Sequence, residues 1–374
     1  MGKLNALIIG GGLAGLAAAV HLSKKGLKVT LIEKNSYPKH KVCGEYISNE
    51  ILPYLNWLDI NISQLQPTAI QHFEFTAQNG KTANTKLPLG GFGISRYTLD
   101  HFLHTKAVEN GCNVVTDNVT DIHFENDVFT VTTSSAIFTS QIILGAYGKR
   151  SNIDQNLSRD FISKKSPWLA VKGHYTGNFD NKLVALYNFE GGYCGVSKVE
   201  NDTINICYLA DFQTFKKYKN IDDYQKAVLY KNKKLKSIFE NSTALFDKPL
   251  TISQISFDKK EPVENHILMI GDTAGLIHPM CGNGMAMAIH SAKIASELVL
   301  DFNNGKLESR AALEKKYKEE WKRHFSKRLM FGRILAKALT RKKITLALTT
   351  IAASVPVLLS FIIKQTHGSP ITIE

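Results

Sequence analysis

Cysteine is scarce in this 374-residue chain. There are five (Cys43, Cys112, Cys194, Cys207 and Cys281), an odd number with no C-x-x-C pair. A disulfide framework and a structural zinc site are thereby disfavoured, no other cluster with metal-ligand spacing replaces them, and a reducing cytoplasm fits best. Low-complexity tracts and internal repeats are missing, which sets aside disordered and solenoid architectures. No Ser-His-Asp spacing is found. The apolar N-terminus lacks the basic leader and cleavage pattern of a signal peptide, and Gly10, Gly11, Gly12 and Gly15 interrupt it. Acidic residues thin out toward the C-terminus. Between Lys306 and Lys343, fourteen Lys or Arg stand against four Glu and no Asp, so this stretch carries +10 of the net +13. Such a patch suits nucleic acid or an anionic membrane surface. The membrane is the expected partner and nucleic acid is not, which places the protein peripherally on the inner face of the membrane.

What is present is ordinary globular composition, 44% hydrophobic, with length for about two domains. Leu4 to Ile9 reads as a buried strand, Gly10 to Gly15 as a turn, and Leu16 to Lys25 as an Ala- and Leu-rich helix stopped by Gly26. Leu27 to Ile32 is a second buried strand, ending at Glu33. Together they form a parallel βαβ unit. Arg96 to Glu109 reads as a helix with Leu99, Phe102, Leu103, Ala107 and Val108 on one side. Short strands follow at Asn113 to Val115, Val119 to Phe124, Val128 to Thr133 and Gln141 to Leu144. Residues 167 to 210 alternate with period two around the turn Glu200-Asn201-Asp202, which indicates an antiparallel sheet. Asp222 to Phe246 reads as a basic helical stretch, His266 to Ile270 as a buried strand and Gly284 to Phe302 as a long helix.

Gly10-Gly11-Gly12-Leu13-Ala14-Gly15 fits G-x-G-x-x-G after a strand and before a helix. The turn lets a pyrophosphate approach the backbone, and the helix N-terminus meets it with free N–H groups and partial positive charge. Glu33 at the end of the second strand can bind both ribose hydroxyls, and its charge disfavours a 2′-phosphate. Strand, turn, helix and acid together meet the context that a dinucleotide fingerprint requires.

A second motif runs Gly271-Asp272-Thr273-Ala274-Gly275-Leu276, then His278-Pro279-Met280-Cys281-Gly282-Asn283-Gly284. It resembles the second FAD fingerprint of flavoproteins with the p-hydroxybenzoate hydroxylase fold, including geranylgeranyl reductases and related halogenases. The resemblance covers about residues 1 to 300. It implies that FAD is the cofactor, that Asp272 binds the ribitol chain and that Pro279 borders the flavin ring. It implies further that Gly282, Asn283 and Gly284 open a helix facing the pyrimidine end. Anionic reduced flavin would be stabilised there. Pro38 to Glu45 resembles the family's loop after the acidic strand end, where a Cys-Gly pair, here Cys43-Gly44, lies close to flavin and substrate. Gly93-Ile94-Ser95-Arg96 resembles the segment whose Arg contacts FAD, and Arg96 could pair with the pyrophosphate. Gly10, Gly12, Leu13, Ala14, Gly15, Glu33, Lys34, Val119, Ala146 and Gly148 complete the expected cofactor-binding set. Tyr147 stands where the aromatic hydroxylases usually carry Asp, which argues against direct recruitment of NADPH. NAD(P)H stays open as an external donor. No Gly-x-Trp-x-Trp-x-Ile-Pro segment is present, so tryptophan-type halogenation is disfavoured.

These readings give an α/β fold. A discontinuous Rossmann-like FAD-binding domain (1–65, 90–155 and 255–303) hosts an inserted antiparallel substrate domain (66–89 and 156–254). A basic C-terminal helical region (304–374) follows. Ile344 to Ile363 is uncharged for twenty residues. A helix packed on the domain, an interfacial helix and a tail anchor compete for it, in that order. Cys43 and His278 are the candidate catalytic residues, with His290 also considered. The expected function is FAD-dependent oxidation or reduction of a hydrophobic small molecule. Monooxygenation of an aromatic or lipid-like compound ranks first, because a closed site protects oxygen chemistry from water. Reduction of prenyl double bonds ranks second, and a non-catalytic flavin or lipid binder third.

Overall fold

The structure, a computed structural model, describes residues 4–339 and 354–373 together with 347, 350 and 351. A six-stranded sheet forms its centre, in the order Val263–Glu264, Ile267–Met269, Ile142–Gly145, Asn5–Ile9, Lys28–Glu33 and Asn113–Thr116. All neighbours are parallel except the first pair. Asn5–Ile9 lies in the middle, with Leu7 beside both Ile143 and Thr30. Its residues are apolar on both faces because both faces are covered. On one side pack helix α1 (Leu13–Lys24), helix α2 (Arg96–Glu109) and helix α3 (Gly284–Asn303). On the other lies a three-stranded meander, Val119–Glu125, Val128–Thr133 and Ile137–Ser140, which sends Phe129 and Val131 into the same core. α1 ends at Lys24, where the chain turns at Gly26 (φ +79°).

The second sheet has nine strands. Ser242–Ala244, Trp168–Gly177, Ile204–Asp211, Gly192–Lys198, Leu183–Phe189, Thr68–Thr76, Thr82–Gly93 and Tyr46–Ser48 follow one another, and Leu250–Ser253 also pairs with Trp168–Gly177. Leu183–Phe189 runs parallel to Thr68–Thr76, and the other pairings are antiparallel. Asn201 and Asp202 adopt left-handed backbone (φ +57° and +55°) in the turn read from the sequence. Tyr46–Ser48 and Gly91–Gly93, grouped by sequence with the nucleotide part, pair with each other at the edge of this sheet. Period-two alternation splits its residues between two cores. Leu169, Val171, Tyr187 and Tyr208 face a helical layer with Tyr224 and Leu235. Trp168, Ala170, Leu186, Tyr193 and Leu209 face the opposite way, toward Leu276, Leu359 and Ile363.

One sequence reading needs correction here. Asp222 to Phe246 is not one helix. It divides into Ile221–Ala227, a 3-10 turn at Leu229–Lys231, Lys233–Glu240 and the strand Ser242–Ala244. Asn232 causes the break, since its side chain caps the next helix by accepting from Leu235 N at 3.2 Å.

Helix α4 (Arg310–Leu339) buries Leu313, Tyr317, Trp321, Phe325 and Leu329, a stripe at four-residue spacing, and Tyr317 donates to Met269 O at 2.5 Å. Helix α5 (Pro356–Thr366) packs on α4 and on Thr82–Gly93. Of the uncharged stretch 344–363, residues 344–346, 348–349 and 352–353 lie outside the described residues, as do Arg341, Lys342 and Lys343. Among the described residues no helix is long and apolar enough to cross a membrane.

Candidate active site

The two glycine-bounded helix starts meet. α1 opens immediately after Gly12 and α3 opens at Gly284. A Cβ added at Gly271 would come within 2.9 Å of the Ala14 Cβ, so the second fingerprint lies against the first turn of α1. A Cβ added at Gly15 would reach 2.0 Å from Gly10 O. Only glycine there lets α1 approach the strand it follows. Thr273 Oγ1 accepts from Gly148 N at 2.8 Å and ties the segment after Ile142–Gly145 to the second fingerprint.

A cavity of about 1070 Å³ runs between these starts, above the roughly 300–1,000 Å³ usual for small-molecule sites. One end is a trench with polar and backbone walls. Gly10, Gly12, Leu13 and Ala14 form one side, Glu33 and Lys34 its end. Ala146, Gly148, Asp272 and Arg96 also line it. Cys43, Gly44, Pro279, Gly282 and Gly284 mark where the trench opens into a chamber. Fifteen of the expected cofactor residues thus share one cavity.

The expected residues that do not line this cavity are Gly15, whose role is the close packing above, and three others. Val119 opens a strand of the separate meander and packs in the core. Asn283 is buried one layer behind, donating to Glu50 Oε2 at 3.1 Å and accepting from Arg328 Nη1 at 3.2 Å. His278 is 1% exposed and turned into the aromatic packing of Trp168, Tyr193 and Phe257. Its Nε2 has no partner, and burial pushes its pKa down to about 3. It packs in a buried aromatic cluster and does not line the cavity. His290 is likewise buried against His324 and Phe325, with its pKa lowered to about 3 by burial and then by neighbouring cations.

Sequence reasoning missed the charges that hold the trench in shape. Asp100, fully buried, accepts from Arg96 Nε and Nη2 at 2.7 and 2.8 Å and from Lys41 at 2.8 Å. Burial raises its carboxyl, but the Arg96 guanidinium and then Lys41 outweigh this and hold it below the usual range. Arg96 is therefore a fork locked in place before any ligand arrives. The i, i+4 spacing of Arg96 and Asp100 was a readable signal. Beneath Cys43-Gly44, Glu45 is fully buried with left-handed backbone (φ +55°). It accepts from Lys172 Nζ, from His174 Nε2 at 2.7 Å and from Arg96 N at 2.7 Å. Burial alone would raise this carboxyl; the His174 bond and the Lys172 charge bring it below its ordinary value. Asn205 Nδ2 holds the loop from below through Gly44 O at 2.8 Å. No local pattern couples residues 45, 172, 174 and 205. Glu33 accepts from Gly11 N at 2.7 Å, and Tyr37 donates to Gly11 O at 2.6 Å, so the Glu33 carboxylate is held in place by the glycine turn.

The beginning of the chamber is different in kind. Phe73, Phe75, Leu87, Leu186, Leu209 and Ile252 come from one face of the large sheet, and Leu276, Leu359 and Ile363 close over them. Cys43 Sγ lies 3.4 Å from Met285 Sδ where trench and chamber join. The donor set, with its two helix N-termini, locked Arg, ribose-binding acid and Asp272, fits the pyrophosphate, ribose and ribitol of FAD. The apolar chamber lies beyond the ring end.

Comparison with known proteins agrees. An uncharacterized protein of Methanosarcina barkeri is 27% identical over 86% of this chain and 80% of its own length. The digeranylgeranylglycerophospholipid reductase of Methanococcus vannielii is 23% identical over 94% and 90%. The solved structure of the flavin-dependent brominase Bmp2 superposes with a TM-score of 0.77, at 17% identity, over 97% of this chain and 93% of that one. The family described as FAD binding domain matches residues 3–330. The chain therefore belongs to the FAD binding domain family, as an FAD-dependent oxidoreductase with the fold of p-hydroxybenzoate hydroxylase.

Proposed function

We propose that this protein is an FAD-dependent reductase that saturates carbon–carbon double bonds of an isoprenoid-like lipid held in the apolar chamber. The observation that carries this reading is the character of the chamber walls. They are mainly aliphatic and aromatic, and burial holds their phenol and thiol groups protonated. Burial pushes the Tyr193 hydroxyl far up and the Cys207 and Cys281 thiols up to about 12. These phenol and thiol groups are poor acceptors for the proton of a hydroxylated ring, a role that general-base catalysis would demand. The walls suit an alkene, which needs a proton on one carbon and hydride on the other. FAD, when bound, supplies the two-electron chemistry. Cys43, at the junction, holds the proton, and Lys172 and Glu45 fix the loop that carries it. The reductase from M. vannielii supports the substrate class.

The apolar chamber also favours a second reading, oxygenation of an aromatic or lipid-like molecule, since sites that exclude water protect oxygen chemistry. One experiment separates them. FAD-loaded protein, reduced with dithionite without oxygen, is incubated with a geranylgeranylated glycerol ether and the product is weighed by mass spectrometry. Gain of two hydrogens per double bond is the expected result. No product without oxygen, and an added oxygen atom with it, would replace reduction by oxygenation. An anionic membrane is the proposed source of substrate. Met330, Ile334, Val357 and Phe361 are exposed at the C-terminal helices near exposed Lys322 and Lys327. Cosedimentation with phosphatidylglycerol vesicles but not phosphatidylcholine vesicles tests it.

A further inference from the structure

A second cavity, about 380 Å³, opens beside the chamber. Its floor is the strand end Pro88, Leu89 and Gly90, and its cationic side comes from Arg328 on α4 and from Lys364 on α5, with the His367 ring, kept neutral by burial, also in its wall. Ser369 adds a hydroxyl. None of its lining residues is acidic. The nearest carboxylate, Glu50, is fully buried and spends its oxygens behind the wall. Oε1 accepts from Arg328 Nη1 at 3.3 Å, and Oε2 accepts from Gly368 N at 2.5 Å and from Asn283. Glu50 thus pins Arg328 and the tail segment in place. Lys364 makes no ion pair among the described residues, and His367 Nε2 is shielded from water without any hydrogen-bond partner. The other ring nitrogen, Nδ1, faces Ile363 O at 3.1 Å. A buried polar atom left unpaired is costly, and a ligand that engages it removes the cost.

The two cavities share three wall residues, Tyr46, Leu87 and His367. Tyr46 also packs toward the flavin-side turn, since a Cβ at Gly282 would lie 3.6 Å from its ring. A group held in the small cavity would therefore place whatever is attached to it past Tyr46 and into the chamber.

We propose that this cavity is a head-group site for an anion, phosphate or carboxylate, carried on an apolar chain that occupies the chamber. The inference rests on the chamber's reading as the substrate site and adds the polar end of the substrate. Lys364 and Arg328 supply charge, Ser369 supplies a hydroxyl donor, His367 Nε2 accepts from the hydroxyl of a monoprotonated phosphate or a carboxylic acid, and Tyr46 and Leu87 line the passage for the first carbons. A charged group in such a pocket is held by bonds stronger than those to a neutral hydroxyl.

The test uses FAD-loaded full-length protein and calorimetric titration with decyl phosphate, decanol and inorganic phosphate. Decyl phosphate is expected to bind at least about tenfold tighter than decanol, as one or two charge-assisted bonds imply. Inorganic phosphate is expected to bind far more weakly than either. Lys364→Glu, on an exposed position, should erase most of the preference while leaving decanol affinity unchanged. His367→Leu should reduce it without reversing it. Equal affinities for decyl phosphate and decanol, or a preference untouched by both variants, would overturn this inference and leave the chamber reading standing. Inorganic phosphate binding as tightly as decyl phosphate would make the cavity a free-anion site and overturn it too. Binding of neither amphiphile would overturn both readings.

Discussion

The trench and the chamber share one cavity and are built by opposite rules. The trench is made of short local runs: a turn, a helix start, a strand end, each meaningful within a dozen residues. The chamber is made of separate side chains from several strands, gathered from Phe73 to Ile363 by the pairing of the large sheet and closed by α5. The trench is stiff and charged, with buried ions fixed by several partners. The chamber is walled mainly by apolar side chains. A cofactor common to many enzymes demands the first, and a substrate that differs between relatives permits the second. The two should therefore fail independently when mutated.

The largest effect is expected in the trench. Gly15→Val forces a side chain into the Gly10 carbonyl and drives α1 off its strand. The purified variant should carry no FAD, read from its visible absorbance, and should melt well below the wild type. Next comes Asp100→Asn, which leaves Arg96 and Lys41 facing a neutral group in a buried site. Breaking one side of such a pair costs about 3–5 kcal/mol, measured by denaturant unfolding. FAD affinity should fall with it, because the fork loses its orientation. A variant that keeps full affinity and stability would show that the trench is shaped by backbone alone.

The same contrast explains what could be read from the sequence. Gly10 to Gly15, Glu33, Arg96 and Asp272 were legible because phosphates, riboses and helix dipoles impose residue types at fixed short spacing. Asp100 was half-legible, through its spacing from Arg96. Glu45 with Lys172 and His174 was not, because tertiary folding alone brings a loop residue against a strand 127 and 129 positions away. His278 misled for a related reason. Its place in the fingerprint says where its backbone goes, while the side chain's direction is decided by Trp168 and Phe257 from other elements. Val119 reads as a strand start, and it is one, but its side chain packs in the core and does not line the cavity. The chamber had no signal, since Phe, Leu and Ile on alternating positions describe any sheet face.

An intermediate effect should appear when the chamber is filled. Leu359 is 5% exposed and faces the cavity from α5. Leu359→Trp adds bulk where the proposed lipid lies, so turnover or decanol binding should drop at least about tenfold, while the cost to folding stays near the 1–3 kcal/mol of overpacking. FAD content should not change. Loss of FAD in this variant would mean that trench and chamber are coupled after all.

The smallest effect separates a packed histidine from a working one. His21, His278 and His290 are each held at a pKa of about 3, chiefly by burial. An unfolded imidazole titrates near 6.5. Between these values the unfolded chain takes up a proton at each position and the folded chain does not, so unfolding absorbs protons and acid favours it. Stability should be full above about pH 6.5 and fall steadily below it. His278→Phe removes one of these groups, together with a buried nitrogen that has no partner. Its ring fits an already aromatic surrounding of Trp168, Tyr193 and Phe257. The variant should match or slightly exceed the wild type at neutral pH, by about 1 kcal/mol at most. Its stability should decline with a shallower slope, one proton less, between pH 6 and pH 4. Its activity profile against pH should keep the wild-type shape. A collapse in turnover with intact folding and FAD content would put His278 back among the reacting groups.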